Sequence, residues 1–350
     1  MATKLKPLEE QVIVITGASS GIGLATAEAA AARGAKVVLA ARTRDALAEA
    51  VDQIKQAGGQ ATFVMADVSK RDELENVARR AREEYGGFDT WVNNAGVGIW
   101  GRIDEVSEED MRQLFETNFW GMVYGSQIAA RELKERGGAI VTVGSATSDV
   151  PHPLQGIYSA SKHAVKGFVD ALRMELEADG APISLTLVKP ASIGTPMPQH
   201  VKNYTEAEPK LPPPVYKPED AAATILYAAT HAVRDLYVGS SARTMSALYK
   251  AAPRVMDWLA EKALYPAQIG SRPGTAGDNL HVGNAQAEVY GDHQGSLIRP
   301  SLYTRAAITP GLPLVAGAVA AAGAGLFLWS RRSRGAGEQS SAEEVEAHPS

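Results

Sequence analysis

Short apolar runs recur along the chain near residues 11–16, 36–41, 61–66, 89–93, 138–144, 183–189 and 235–239. Between them, near 22–33, 44–57, 70–85, 107–136, 157–178 and 218–232, the pattern is helical. Apolar runs without polar alternation are what strands buried on both faces look like, and strands alternating with helices form a parallel sheet covered on both sides. The pattern therefore predicts an α/β fold, a doubly wound and mostly parallel sheet of about seven strands with helices on both faces. In such a sheet ligands bind beyond the carboxyl ends of the strands, where Gly17, Asn94 and Ser145 fall.

Beyond residue 240 the pattern changes. Residues 241–265, with Met245, Leu248, Met256, Leu259 and Leu264, read as a helical extension, one amphipathic helix or two parted near Pro253, packing on the domain or on another subunit. Residues 266–305 are rich in Gly, Asn, Asp, Ser and Pro, the composition of an irregular linker or wrapping arm. Residues 306–330 carry no charge and are followed by Arg331, Arg332 and Arg334. That makes them a candidate transmembrane helix with Trp329 at the interface, and Gly317, Ala321 and Gly325 offer a small-residue face for helix pairing. A buried or oligomer-packing helix is the alternative, because Ala and Gly are only mildly apolar and Pro310 and Pro313 interrupt the start. The arginines also stand on the wrong side for a cytosolic catalytic domain. The charged tail 331–350 is expected to be disordered.

Composition narrows the classes of function. The 350 residues are 45% hydrophobic, enough for a sizeable core, and the net charge of −5 with no basic stripe argues against a nucleic-acid partner. Cysteine is absent, so disulfides and thiolate metal sites are excluded, and the seven histidines show no metal-ligand spacing. The start, Met1 to Pro7, has no apolar signal region, which fits a cytoplasmic catalytic domain, membrane-anchored if 306–330 spans a bilayer.

Candidate chemistry lies at the ends of the strands. Thr16-Gly17-Ala18-Ser19-Ser20-Gly21-Ile22-Gly23 joins the first strand to the first helix, and its glycines permit a tight turn and close approach of a pyrophosphate to the helix N-terminus. The second strand ends in Ala41-Arg42-Thr43-Arg44 with no carboxylate to hold ribose hydroxyls. Arg42 can instead pair with a 2′-phosphate, which favours NADP(H) over NAD(H). Farther on, Tyr158 and Lys162 stand four residues apart on one face of a helix. An ammonium about 4 Å from a phenol is expected to lower its pKa of about 10 by roughly one to three units, making Tyr158 a usable general acid/base.

Together with Ser145, Ala66-Asp67-Val68, Asn93-Asn94-Ala95-Gly96 and Glu116-Thr117-Asn118-Phe119-Trp120-Gly121, these motifs resemble the short-chain dehydrogenase/reductase family over roughly residues 8–240. The resemblance implies a Rossmann-like catalytic domain over 1–240. It implies catalytic roles for Asn118 (proton relay through water), Ser145 (holding the reacting oxygen), Tyr158 (proton transfer) and Lys162 (ribose and phenol). Cofactor contacts are implied for Gly17, Ser19, Ser20, Gly21, Ile22, Gly23, Arg42, Asp67, Val68, Asn94, Ala95, Gly96, Tyr158, Lys162, Pro190 and Thr195. Pro190-Ala191 stands where the family has Pro-Gly, leaving Thr195 in place at the nicotinamide amide.

Substrate recognition is expected from Val97 to Trp100, Val150 to Leu154 and the loop from Pro190 to Pro218, whose side chains are mostly apolar. Its stretch Pro209 to Pro218 reads as a stiff lid, with a linker or SH3-type ligand as alternatives. His152 either lines the pocket or faces solvent. The resulting expectation is an oxidoreductase passing hydride between NADP(H) and a lipophilic carbonyl or alcohol, as a homodimer or homotetramer. The alternative is a non-catalytic NADP(H)-binding scaffold or redox sensor anchored through its C-terminal helix.

Overall fold

The computed structural model describes residues 4–274, 277–283, 286–292 and 298–309. Seven strands form the central sheet: β1 (Val12–Thr16), β2 (Lys36–Ala41), β3 (Gln60–Met65), β4 (Thr90–Asn93), β5 (Gly138–Val143), β6 (Ile183–Pro190) and β7 (Asp235–Val238). Their order is β7-β6-β5-β4-β1-β2-β3, and every neighbouring pair is parallel. The chain runs outward through β1, β2 and β3, then returns past β1 to build the other half. This leaves a topological switch between β1 and β4, where a crevice opens at the carboxyl edge.

Alternate residues of each strand face opposite layers. Ile13, Ile15, Val37 and Leu39 pack with α1 (Gly21–Ala31), α2 (Arg44–Gln56) and α7 (Pro218–Thr230). Val12, Val14, Val38 and Ala40 pack with α3 (Arg71–Tyr85), α5 (Gly121–Leu133) and α6 (Gly156–Ala178). Both faces are covered, which is why the strands are apolar throughout rather than alternating.

The helical stretch expected over 107–136 divides. Ser107 caps α4 (Glu108–Phe115) by accepting from the Asp110 amide at 3.2 Å, and a π-helical turn, Glu116–Trp120, joins α4 to α5. The long loop after β6 also carries structure. Its short strands Lys202–Asn203 and Ala207–Pro209 pair with Ile99–Trp100 and Ile269–Pro273, respectively. The extension breaks at Ala252, giving α8 (Ser240–Ala251) and α9 (Pro253–Leu259), because the ring of Pro253 is tolerated only in a first helical turn. Met256 is buried, while Leu248, Val255 and Trp258 are exposed.

Residues 4–304 of the described chain belong to one compact unit. The candidate span 306–330, apart from residues 306–309, and the tail 331–350 lie outside the described residues. Among the described residues no helix is long and apolar enough to cross a membrane.

Candidate active site

A cavity of about 300 Å³ opens at the carboxyl edge, beside the switch point. At one end stands the turn between β1 and α1. Gly17 has φ +64°, and a Cβ there would lie 2.6 Å from Ala95 Cα. Gly23 packs beneath the turn against the Gly17 carbonyl and the Asn94 amide. Asn94 ties the motifs together, donating from Nδ2 to the carbonyls of Thr16 at 3.0 Å and Gly17 at 3.1 Å. The result is a tight glycine turn that brings the backbone at the start of α1 up to the cavity, a shape that fits a pyrophosphate. Ser19, Ser20, Gly21, Ile22, Asp67, Val68, Ala95, Gly96, Pro190 and Thr195 line the same cavity.

At the other end α6 presents Tyr158 and Lys162, and the turn after β5 presents Ser145. The Ser145 oxygen accepts from the Thr147 amide at 3.1 Å, capping the short helical turn Ala146–Ser148. That bond takes a lone pair and leaves the hydroxyl hydrogen for another acceptor. Ser145 is also hydrogen-bonded to Tyr158. Lys162 is buried, donates to the Val143 carbonyl at 3.1 Å, and holds its Nζ 5.7 Å from the centre of the Tyr158 ring.

The ionisation of this pair differs from expectation. Burial pushes Tyr158 up to about 12, outweighing the hydrogen bond from Ser145, rather than the ammonium pulling it down. Burial also brings Lys162 down to about 8. Each group loses hydration on burial, and that loss is the largest influence on both.

Asn118 sits in the π turn, a local widening that turns its side chain toward the segment after β4. Its Oδ1 accepts from the Val97 amide at 2.8 Å, and its Nδ2 donates to the Val97 carbonyl at 3.0 Å. The side chain thus holds the loop after Asn94-Ala95-Gly96. Asp67 accepts from the amide and hydroxyl of Ser69 at 3.0 and 2.7 Å, which fixes the turn after β3.

Arg42 was expected to await a phosphate. Instead it donates from Nη2 to the carbonyls of Asn279 at 2.5 Å and Val282 at 3.1 Å, and from Nη1 to that of Leu280 at 3.1 Å. The arm that sequence composition identified therefore reaches the cavity wall, a contact between positions too far apart in sequence for any local motif to reveal.

His152 belongs to the cavity wall rather than to solvent. Burial pushes it down to about 4, so it is neutral at physiological pH. Its Nε2 and the indole Nε1 of Trp100 are buried without a hydrogen-bond partner among the described residues.

A buried ion pair behind Ser145 escaped the sequence reading. Lys189 lies 3.1 Å from Asp149, with both side chains almost wholly buried, and Asp149 also accepts from Tyr237 at 2.9 Å and Ser246 at 2.8 Å. Burial would raise Asp149, but Lys189 and the two hydroxyls outweigh it and hold the carboxyl below its ordinary value. The pair ties the Ser145 turn to β6 and α8. Its one local signal was a lysine at the end of an otherwise buried strand.

Comparison with known proteins agrees with this architecture. The family model described as short chain dehydrogenase matches residues 11–206. An uncharacterised oxidoreductase of Bacillus subtilis (strain 168), YxnA, is 42% identical over 336 residues, covering 95% of this chain and 93% of its own. The 11-beta-hydroxysteroid dehydrogenase A of Sesamum indicum is 34% identical over 261 residues, covering 71% of this chain and 74% of its own. Among solved structures, a short chain dehydrogenase/reductase from Burkholderia phymatum in complex with NAD superposes with a TM-score of 0.64 at 28% identity, covering 73% of this chain and 96% of that one. The all-parallel sheet, the glycine turn at its switch point and this agreement over most of the chain make the protein an oxidoreductase of the short-chain dehydrogenase/reductase family.

Proposed function

We propose that the protein transfers hydride between NADP(H) and a lipophilic carbonyl or alcohol, with Tyr158 as general acid/base. The observation that carries this reading is the convergence of Tyr158, Ser145 and Lys162 on one end of a cavity whose other end is the glycine turn. The nicotinamide would supply or accept the hydride. The chain's own groups handle the proton. Tyr158 enters reduction as a neutral phenol and can donate to a carbonyl oxygen as negative charge develops there. The Ser145 hydroxyl hydrogen, directed at Tyr158, can turn to that oxygen and hold it in place. Lys162, protonated below about pH 8, offers positive charge to the phenolate left behind.

A lipophilic substrate is supported by Trp100, Ile193, Met197, Leu211, Met245 and Leu264 on the cavity wall. The hydroxysteroid activity in the name of the Sesamum relative points the same way. Arg42 supports a 2′-phosphate, whereas the Burkholderia neighbour was solved with NAD. Assembly into a dimer or tetramer belongs to the same proposal.

The test uses the full-length protein, with NADPH and NADH oxidation followed against steroid ketones, aliphatic ketones and quinones. Turnover with NADPH is expected to fall about 10²–10⁴-fold in Tyr158→Phe while NADPH affinity holds within about twofold. Tight NADPH binding with no turnover on any ketone would replace this reading with that of a cofactor-binding sensor.

A further inference from the structure

The arm residues 277–283 and 286–292 lie along the Arg42 side of the cavity, pinned at two separate places. The first pin is Leu280, fully buried among Val97, Ile99, Val106 and Leu114. It is flanked by Asp278, 2.9 Å from Lys202, and by His281, whose Nε2 lies 2.8 Å from Asp110. The second is the stretch 287–290, where Ala287 and Val289 pack against the core that includes Ile22, and the Tyr290 hydroxyl donates to Glu219 at 2.6 Å.

Each pin occupies a donor that a cofactor phosphate would use. At the first, both Nη2 hydrogens of Arg42 are taken by the carbonyls of Asn279 and Val282, and an Nη1 hydrogen by that of Leu280. Each two-point edge of a guanidinium includes an Nη2 hydrogen, so neither edge is open to grip a phosphate bidentately. At the second, the Glu288 carbonyl accepts from the Gly21 amide at 2.8 Å, at the first residue of α1. A single N–H cannot serve that carbonyl and a pyrophosphate oxygen together.

We infer that the arm is an intramolecular competitor for the cofactor's phosphates and sets cofactor selectivity. Residues 279–283 compete for Arg42, and hence only with a 2′-phosphate, while residues 287–290 compete for the Gly21 amide, and hence with either cofactor. In the closed arrangement Arg42 gives NADP(H) no advantage. Selectivity appears as the first pin opens, and apparent affinity scales with the open fraction. This rests on the proposed nicotinamide cofactor.

The two pins can be loosened one at a time in the full chain, with affinity read from the fluorescence of bound NADPH and NADH. Leu280→Ala is expected to tighten NADPH about tenfold and NADH less than about twofold, and Asp278→Asn, a milder surface change, to shift the same ratio by about threefold. Tyr290→Phe is expected to tighten both cofactors alike, by about twofold to threefold. Amide exchange over 277–283 is expected to quicken when NADPH binds and to stay unchanged with NADH. An NADPH/NADH affinity ratio unchanged in both Leu280→Ala and Asp278→Asn overturns the inference, as does slower exchange over 277–283 with NADPH, the mark of an arm that closes over bound cofactor. Failure of the wild type and every variant to bind either cofactor would instead end the functional reading beneath it.

Discussion

The two ends of the cavity each hold a cation, Lys162 buried and Arg42 half-buried, and the chain treats them in opposite ways. Lys162, at the Tyr158 end, makes one hydrogen bond among the described residues, to Val143, and keeps spare donors. Arg42, at the other end, is held by three backbone carbonyls of the chain's own arm. A cation left undersaturated by its surroundings is destabilised and shifts toward neutrality, and so is ready to respond when a partner arrives. A cation saturated by its own chain has to be uncovered first. On the proposed function, the chemistry of one end is prepared in advance, and recognition at the other is conditional.

The largest effect should come from removing the undersaturated cation. Lys162→Met is expected to lower the rate of carbonyl reduction about 10²-fold or more, since no charge then meets the developing phenolate. The pH dependence sharpens the point. Burial lowers Lys162 to about 8, so the ammonium is present below that pH and lost above it. Reduction in the wild type should therefore decline as pH rises through about 8. A reduction rate that stays level to pH 10 would mean that Lys162 is not prepared in this sense.

The next effect tests whether the prepared end depends on the pair behind it. Asp149→Asn leaves Lys189 with Asp235, 3.4 Å away, as its remaining carboxylate and is expected to cost about 1–3 kcal/mol of stability, measured by denaturant unfolding at pH 7. The folded pKa of Asp149 is depressed, so its contribution is present above the unfolded carboxylate value of about 3.9 and is lost as pH falls through the folded value. The gap between wild type and variant should narrow in strong acid. A gap that persists undiminished there would assign the loss to packing rather than charge.

The smallest effect is a null one. His152 is brought down to about 4 by burial, so it stays neutral across the working range. His152→Gln should leave the pH profile of the rate between pH 5 and 9 where it was, whatever it does to KM for individual ketones. A lost inflection near pH 6 would show that the imidazole titrates inside the cavity.

Legibility in the sequence followed the distance over which each feature is encoded. The strands were plain because Val12, Ile13, Val14 and Ile15 feed two opposite cores, leaving no position in the run free to be polar. The glycine turn and the Tyr158 to Lys162 pair are local spacings, visible wherever they occur. The raised Tyr158 was not visible, because it depends on how many separate segments close around the ring. Arg42 could be read as a phosphate ligand but not as an occupied one, since its partners lie in an arm with no periodicity of its own. Asp149 and Lys189 meet only when the turn after β5, β6 and α8 have assembled.

The π turn at Glu116–Trp120 also bears on how insertions and deletions would act on this chain. One residue more than a regular helix needs is stored in that turn, and a residue advances an α-helix by about 100°. Everything downstream in α5 inherits that rotation. Gly125 is thereby faced toward Asn93 and Trp91, and the Ser126 oxygen is brought 2.9 Å from Asn93 Nδ2. Excising a single residue from the turn would regularise the helix and swing both positions about a quarter-turn off the sheet. The phase of an entire helix against its strand is therefore set by an irregularity one residue long.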